Sequence, residues 1–231
     1  MNAGIHERIN AVRARIAAAA HACGRDPAAV RLVAVSKTRP AGALAAAHEA
    51  GLADFGENYV QEAKDKIAAL GHLPLTWHFI GHLQTNKARF AVRLFHLIHT
   101  LDSVRVAREL DRHAGRVPKV QEVLIQVRLS AEETKSGALP EEVPALLREA
   151  AALPHLRVRG LMTLPPFFDD PERARPYFAR LRELRDRLQE EAPSGVSLGE
   201  LSMGMTGDFE AAIAEGATIV RIGTAIFGKR A

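Results

Sequence analysis

Two rhythms of apolar residues alternate along the chain. Short β-branched runs with strand spacing occupy Leu32–Ser36, Ala53–Phe55, Trp77–Ile80, Leu97–Thr100, Val120–Val127, Val158–Met162, Ser197–Leu201 and Thr218–Ile222. Ala/Leu/Arg-rich stretches with helical spacing lie between them, near 41–50, 58–70, 84–94, 103–114, 140–152, 172–191 and 208–215. A leading helix repeats Ile5, Ile9, Val12 and Ile16 on one face. Strict alternation of strand and helix predicts parallel pairing through crossover helices. Eight units share 231 residues, roughly 29 each, the size of one strand–helix repeat. The expected architecture is therefore α/β, a single (β/α)8 TIM barrel spanning 1–231 as one domain, with an extra N-terminal helix. A doubly wound sheet is disfavoured, because Lys37-Thr38-Arg39-Pro40 follows the first strand where a Gly-x-Gly-x-x-Gly turn would stand.

Composition narrows the function. No apolar run reaches membrane-spanning length, and charges at Glu7 and Arg8 interrupt any secretory core, so the expectation is a cytoplasmic protein with no membrane partner. The single Cys23 forms no internal disulfide, and His78, His96 and His99 lack ligand spacing, so no metal is expected. These histidines read as packing or hydrogen-bonding residues, Trp77 as core, and Cys23 as inert. A net charge of +4 raises the question of nucleic acid, but Arg is interleaved with Glu and Asp and aromatics make up only 5%. That pattern describes solvated helix faces and predicts no nucleic-acid partner.

In such a barrel the chemistry sits at the C-terminal ends of the strands. These ends carry Ser36-Lys37, Gly56-Glu57-Asn58, Gly81-His82, Thr100-Leu101-Asp102-Ser103, Met162-Thr163, Ser202 to Thr206, and Gly223-Thr224. Lys37 directly follows an apolar strand, where desolvation favours the neutral amine needed for a Schiff base. Two blander readings stand beside it: a lysine that snorkels to the mouth, or one paired with Glu57. The small-residue loops 202–208 and 223–226 suit a phosphate, and are equally ordinary turn and cap chemistry. Arg221, two residues before Gly223, points into the barrel, where a cation needs a partner. A Schiff-base lysine, a phosphate cradle and an interior arginine together suggest pyridoxal 5′-phosphate (PLP).

The motifs Val33-Ala34-Val35-Ser36-Lys37-Thr38, Phe55-Gly56-Glu57-Asn58-Tyr59-Val60-Gln61-Glu62, and the run from Trp77 to Lys87 resemble the pyridoxal-phosphate homeostasis protein (YggS/PROSC) family. The resemblance continues through Gly160-Leu161-Met162-Thr163, Leu201 to Asp208 and Val220 to Gly228. It implies a cytosolic barrel similar to the N-terminal domain of alanine racemase, with PLP carried covalently on Lys37. It also implies Ser202, Gly223 and Thr224 on the phosphate with the Met203 amide nearby, and Arg221 at the pyridine nitrogen. Asn58 and Met162 then line the cofactor, with His82, a departure from the family pattern, at the mouth.

A PLP racemase needs two acid/base groups on opposite faces of its substrate, and Lys37 supplies one. The only tyrosines are Tyr59 and Tyr177; the first is expected to pack or cap, the second to sit on a helix whose Phe178, Leu181, Leu184 and Leu188 form a packing stripe. A guanidinium facing the ring nitrogen disfavours protonation there and so disfavours carbanion chemistry. The expectation is a monomeric, non-catalytic PLP carrier in vitamin B6 homeostasis, with PLP-accepting apo-enzymes as partners. A weak PLP-dependent racemase or lyase is the alternative, as is a barrel enzyme that uses Glu57 or His82 as base on a phosphorylated metabolite. Thr134-Lys135-Ser136-Gly137 and Lys229 are the remaining groups that the topology brings toward the mouth.

Overall fold

The computed structural model describes residues 3–130, 136–193 and 196–229. Eight parallel strands, β1 (Arg31–Val35), β2 (Asp54–Glu57), β3 (Thr76–Phe79), β4 (Leu97–Leu101), β5 (Gln121–Val127), β6 (Leu156–Thr163), β7 (Glu200–Ser202) and β8 (Ile219–Ile222), pair in sequence order. Pairing of β8 with β1, Leu32 opposite Val220 and Ala34 opposite Ile222, closes the barrel. The helices are α1 (Ala3–Ala22), α2 (Ala41–Glu49), α3 (Val60–Ala69), α4 (Ala88–Leu94), α5 (Val104–Ala114), α6 (Val143–Ala151), α7 (Arg175–Glu190), α8 (Phe209–Ala214) and α9 (Thr224–Phe227).

Their apolar faces explain their seats. In α5 the Ser103 hydroxyl accepts from the Val106 amide, and Val106, Ala107, Leu110 and Ala114 are buried on one side. Phe178, Leu181, Leu184 and Leu188 of α7 form the expected stripe. Helix α1 buries Ile5, Ile9, Val12 and Ile16, and Arg8 Nε donates to the Ile226 carbonyl at 2.6 Å, tying the chain's start to α9.

The sheet separates two cores. Most buried side chains lie between strands and helices, whereas Val33, Leu97, Leu124, Met162 and Ile219 form a separate cluster. Two residues beyond Leu97 and Ile219, on the same side of their strands, stand His99 and Arg221. His99 and Arg221 thus stand on the C-terminal side of this apolar cluster. A bulge helps set this geometry: Val123 pairs with Val158 but Leu124 with Gly160. Gly160 has φ +156°, and a Cβ there would stand 1.8 Å from the Glu200 carbonyl oxygen, so β7 reaches β6 only past a glycine.

The expected elements are present with shifted edges. The predicted seventh strand Ser197–Leu201 begins only at Glu200, because α7 claims the preceding backbone: Leu198 N donates to Gln189 Oε1 at 2.6 Å, and Gln189 Nε2 to the Val196 carbonyl at 3.2 Å. The stretches expected to be helical from 84 and 172 start as 3-10 turns, Thr85–Lys87 and Pro171–Ala174. Residues 224–227, read from sequence as loop, form the short helix α9.

Candidate functional site

At the end of β1 the chain turns sharply: Thr38 has φ +62°, and among the described residues it is the one non-glycine with positive φ. Two side chains of α3 hold this turn. Glu62 Oε1 accepts from the Thr38 amide at 2.5 Å, and Lys66 Nζ donates to the Ser36 carbonyl at 2.6 Å. Lys66 also meets Glu57 Oε1 at 2.7 Å and Glu62 Oε1 at 2.6 Å, while the Ser36 hydroxyl donates to Glu57 at 2.6 Å. Glu57 therefore has Lys66 as a cation partner. Burial pushes the Glu57 carboxyl above the usual carboxylate range, against the hydrogen bonds from Lys66 and Ser36.

Lys37 opens into a cavity of about 350 Å³ at the barrel mouth, a size suited to a small ligand. Lys37, Arg39, Arg221, Gly223 and Thr224 line it, together with Phe167 and Phe168 and the loop Met205 to Asp208. The Thr206, Gly207, Gly223 and Thr224 amides donate to no backbone carbonyl among the described residues. A Cβ on Gly207 would meet open space, and one on Gly223 would press against the Val35 carbonyl oxygen at 3.2 Å. The loop after β7 is shaped by Asp208, whose Oδ1 accepts from the Met205 amide at 2.6 Å. A buried arginine, small-residue loops with amides to spare, and a lysine on the same cavity fit a phosphorylated carbonyl compound such as PLP.

Arg221 is 3% exposed. Its Nη1 donates to Ser202 Oγ at 2.6 Å and its Nη2 to the Thr163 carbonyl at 2.9 Å. Burial lowers the guanidinium pKa to about 10, opposed by the nearby Asp208 charge, so it stays ionised at neutral pH. Behind Ser202 lie His99, its Nδ1 2.8 Å from Ser202 Oγ, then His78, its Nδ1 2.9 Å from His99 Nε2, then Asp54, its Oδ1 2.9 Å from His78 Nε2. Burial above all, with His78 and Arg221 adding to it, holds His99 well below the ordinary imidazole range.

The fold brings Lys37, Arg221, Gly223 and Thr224 onto one cavity and sets the other expected residues elsewhere. Ser202 is fully buried beneath it, its hydroxyl taken by Arg221 and His99. Met203 is also fully buried, and its amide donates to the Ile219 carbonyl at 3.1 Å, which leaves no proton for a phosphate. Met162 belongs to the inner apolar cluster. Asn58 lines a smaller neighbouring cavity of about 220 Å³ with His82 and Ser136, and its buried Oδ1 has no hydrogen-bond partner among the described residues. His82 Nδ1 lies 3.1 Å from Ser136 Oγ, so Ser136 does reach the mouth; Thr134 and Lys135 fall outside the described residues. Lys229 is exposed. Tyr59, expected to pack or cap, is 59% exposed and caps α3 only through its backbone. Tyr177 stacks on Phe168 at 5.9 Å.

Comparison with known proteins agrees with the fold. The family described as alanine racemase, N-terminal domain, matches residues 8–231. The pyridoxal phosphate homeostasis protein of Pseudomonas aeruginosa is 51% identical over 228 residues, covering 98% of this chain and 96% of that protein; the one from Aquifex aeolicus is 48% identical over 224 residues, 97% of each. The chain belongs to the pyridoxal phosphate homeostasis protein family. Another similar structure is that of PipY from Synechococcus elongatus with PLP bound, with TM-score 0.87 and 41% identity, covering 97% of this chain and 100% of that one. Alanine racemase of Clostridium difficile shares the fold alone, at 15% identity and TM-score 0.72, and this chain covers 56% of it.

Several residues of the site escaped sequence reasoning. Lys66 carries no local motif, and the contacts that Glu62 makes with Thr38 and that His78 makes with His99 join positions far apart in the chain. The one usable signal was helical spacing, since Glu62 and Lys66 sit four residues apart on a face of α3. Among the described residues, no helix is long and apolar enough to cross a membrane.

Proposed function

We propose that this protein carries pyridoxal 5′-phosphate as a Schiff base on Lys37 and serves PLP homeostasis in the cytoplasm as a single barrel without substantial turnover. The observation that supports it most is the convergence of Lys37, Arg221, Gly223 and Thr224 on one cavity in a chain of this family. When bound, the cofactor supplies an aldehyde that condenses with an amine. Lys37 offers the amine, and the strained turn at Thr38, clamped by Glu62 and Lys66, fixes the point from which it projects. Gly223, Thr224, Thr206 and Gly207 offer amides and hydroxyls to the phosphate, and Asn58 offers a carbonyl oxygen from the neighbouring cavity.

The same residues argue against racemisation. Arg221 stays charged and so disfavours a proton on a ring nitrogen placed beside it. Neither Tyr177 nor Tyr59 lines the Lys37 cavity, so neither is placed there as a second acid/base group. Glu57, a candidate base for a phosphorylated-metabolite enzyme, is fully buried on Lys66 and Ser36, which supports the carrier reading.

Borohydride reduction of the PLP-loaded protein, followed by peptide mass mapping, tests the reading. The expected result is a phosphopyridoxyl mass on the Lys37 peptide that is absent in Lys37→Ala, with no amino-acid turnover above background. Label scattered over several lysines, or a colourless protein, would overturn it. Turnover that disappears in Lys37→Ala would move the weak racemase into its place.

A further inference from the structure

A chain of polar side chains crosses the barrel interior from Asp54 to Arg221. Its links are Asp54 Oδ1 to His78 Nε2 at 2.9 Å, His78 Nδ1 to His99 Nε2 at 2.9 Å, His99 Nδ1 to Ser202 Oγ at 2.8 Å, and Ser202 Oγ to Arg221 Nη1 at 2.6 Å. The first three residues lie on the neighbouring strands β2, β3 and β4; the fourth lies on β7, which does not border β4, so the His99–Ser202 contact spans the lumen. His78, His99 and Ser202 are fully buried, whereas the Asp54 side chain is 26% exposed.

Donor and acceptor chemistry assigns every proton in this chain. A carboxylate only accepts, so His78 Nε2 carries a proton toward Asp54. A guanidinium only donates, so Ser202 Oγ accepts from Arg221. If His78 is neutral, its Nδ1 accepts from His99 Nε2–H, which leaves His99 Nδ1 to accept the Ser202 hydroxyl proton. All four links then run in one direction, from Arg221 to Asp54, with both imidazoles neutral and protonated on Nε2. The competing arrangement, with His99 protonated on Nδ1, forces both nitrogens of His78 to carry protons and puts a second cation in the interior that Arg221 already occupies. Burial opposes it.

We infer that Ser202, His99 and His78 are positioning residues for Arg221, a one-way hydrogen-bond relay anchored on Asp54 that fixes where the guanidinium presents its remaining N–H groups to the cavity. The link to the cavity's ligand rests on the PLP reading above; the relay itself does not. Ser202 on this view serves the ring-nitrogen side of the site through Arg221 and does not touch the phosphate.

Long-range proton–nitrogen NMR spectra of histidine-labelled full-length protein, without and with PLP, test the proton assignment. The expected result is Nε2–H tautomers at both His78 and His99 at neutral pH; an Nδ1–H tautomer at His99 or an imidazolium at His78 would overturn it. Positioning is read from arginine side-chain NMR. Restricted rotation of the Arg221 guanidinium is expected in the wild type, lost in Ser202→Ala and His99→Phe and retained in His99→Gln, which keeps one acceptor and one donor. A hydrogen bond to a charged group is worth about 1.5–3 kcal/mol, so Ser202→Ala and His99→Phe should weaken PLP binding about 10- to 100-fold and move its visible absorption band. PLP binding and band unchanged in folded Ser202→Ala, with Lys37 still labelled, would overturn the relay and leave the PLP reading intact. A wild type that never labels Lys37 would overturn the PLP reading, while the tautomers and guanidinium rotation would still decide the relay.

Discussion

Lys66→Met removes the cation that Glu57, Glu62 and the Ser36 carbonyl share, without removing side-chain volume from the space between α3 and the barrel. The Lys66 side chain is 7% exposed and that of Glu57 0%, so solvent screens the pair little. Breaking a buried pair costs about 3–5 kcal/mol when the orphaned charge stays ionised. Glu57 has an escape, since it can take up a proton. Against an unfolded value of 4.5, keeping it neutral costs about 1.4 kcal/mol per pH unit, hence about 3.4 kcal/mol at pH 7 and about 1.4 kcal/mol at pH 5.5. A carboxyl raised in the fold gives stability that is complete below its unfolded value and is lost as pH climbs through its folded value. Lys66→Met raises the folded value further, so the variant keeps losing stability across pH where the wild type has already levelled off. Wild-type Glu57 is already raised and bears part of this cost, so urea unfolding should show a deficit of at most about 3 kcal/mol at pH 7, a fall in Tm of at most about 6–12 °C, shrinking to at most about 1.4 kcal/mol at pH 5.5. Adding Glu57→Gln removes the orphaned carboxylate and should recover most of the loss and its pH dependence. A deficit equal at both pH values, or a double variant no better than Lys66→Met, would refute the reasoning.

Gly160→Ala should be among the most damaging single changes, above about 3 kcal/mol, because its Cβ would stand 1.8 Å from the Glu200 carbonyl oxygen at a φ of +156°; thermal melts measure it. Gly42→Ala is the opposite case, a glycine in α2 with nothing within 4 Å of the new Cβ, and should stabilise by about 0.4–1 kcal/mol. Ile9→Ala, at a fully buried position of α1, which packs on α8, α9 and α2, should cost about 2–5 kcal/mol in urea unfolding. Arg108→Ala breaks a pair with Glu149 whose side chains are 67% and 52% exposed, and should change stability by no more than about 0.5 kcal/mol, less at high salt.

Much of this protein is readable in one dimension, because burial is periodic. A strand covered on both faces must be a short apolar run and a crossover helix must carry a stripe, so eight repeats of the pair name the barrel and the ends of its strands name the mouth. Lys37, Arg221, Gly223 and Thr224 were legible for that reason: each sits at or beside a strand end, and the direction of Arg221 follows from strand alternation alone. What remained hidden depends on partners distant in sequence. Glu57 meets Lys66 because α3 lies back against β2, and Ser202 meets Arg221 from the adjacent β8 and His99 from β4 across the lumen. The start of β7 moved because side chains of α7 bind the backbone at 196–198. Periodicity states which face a residue occupies; which buried donor meets which buried acceptor is decided only when the closed sheet brings side chains of non-adjacent strands within 3 Å of one another.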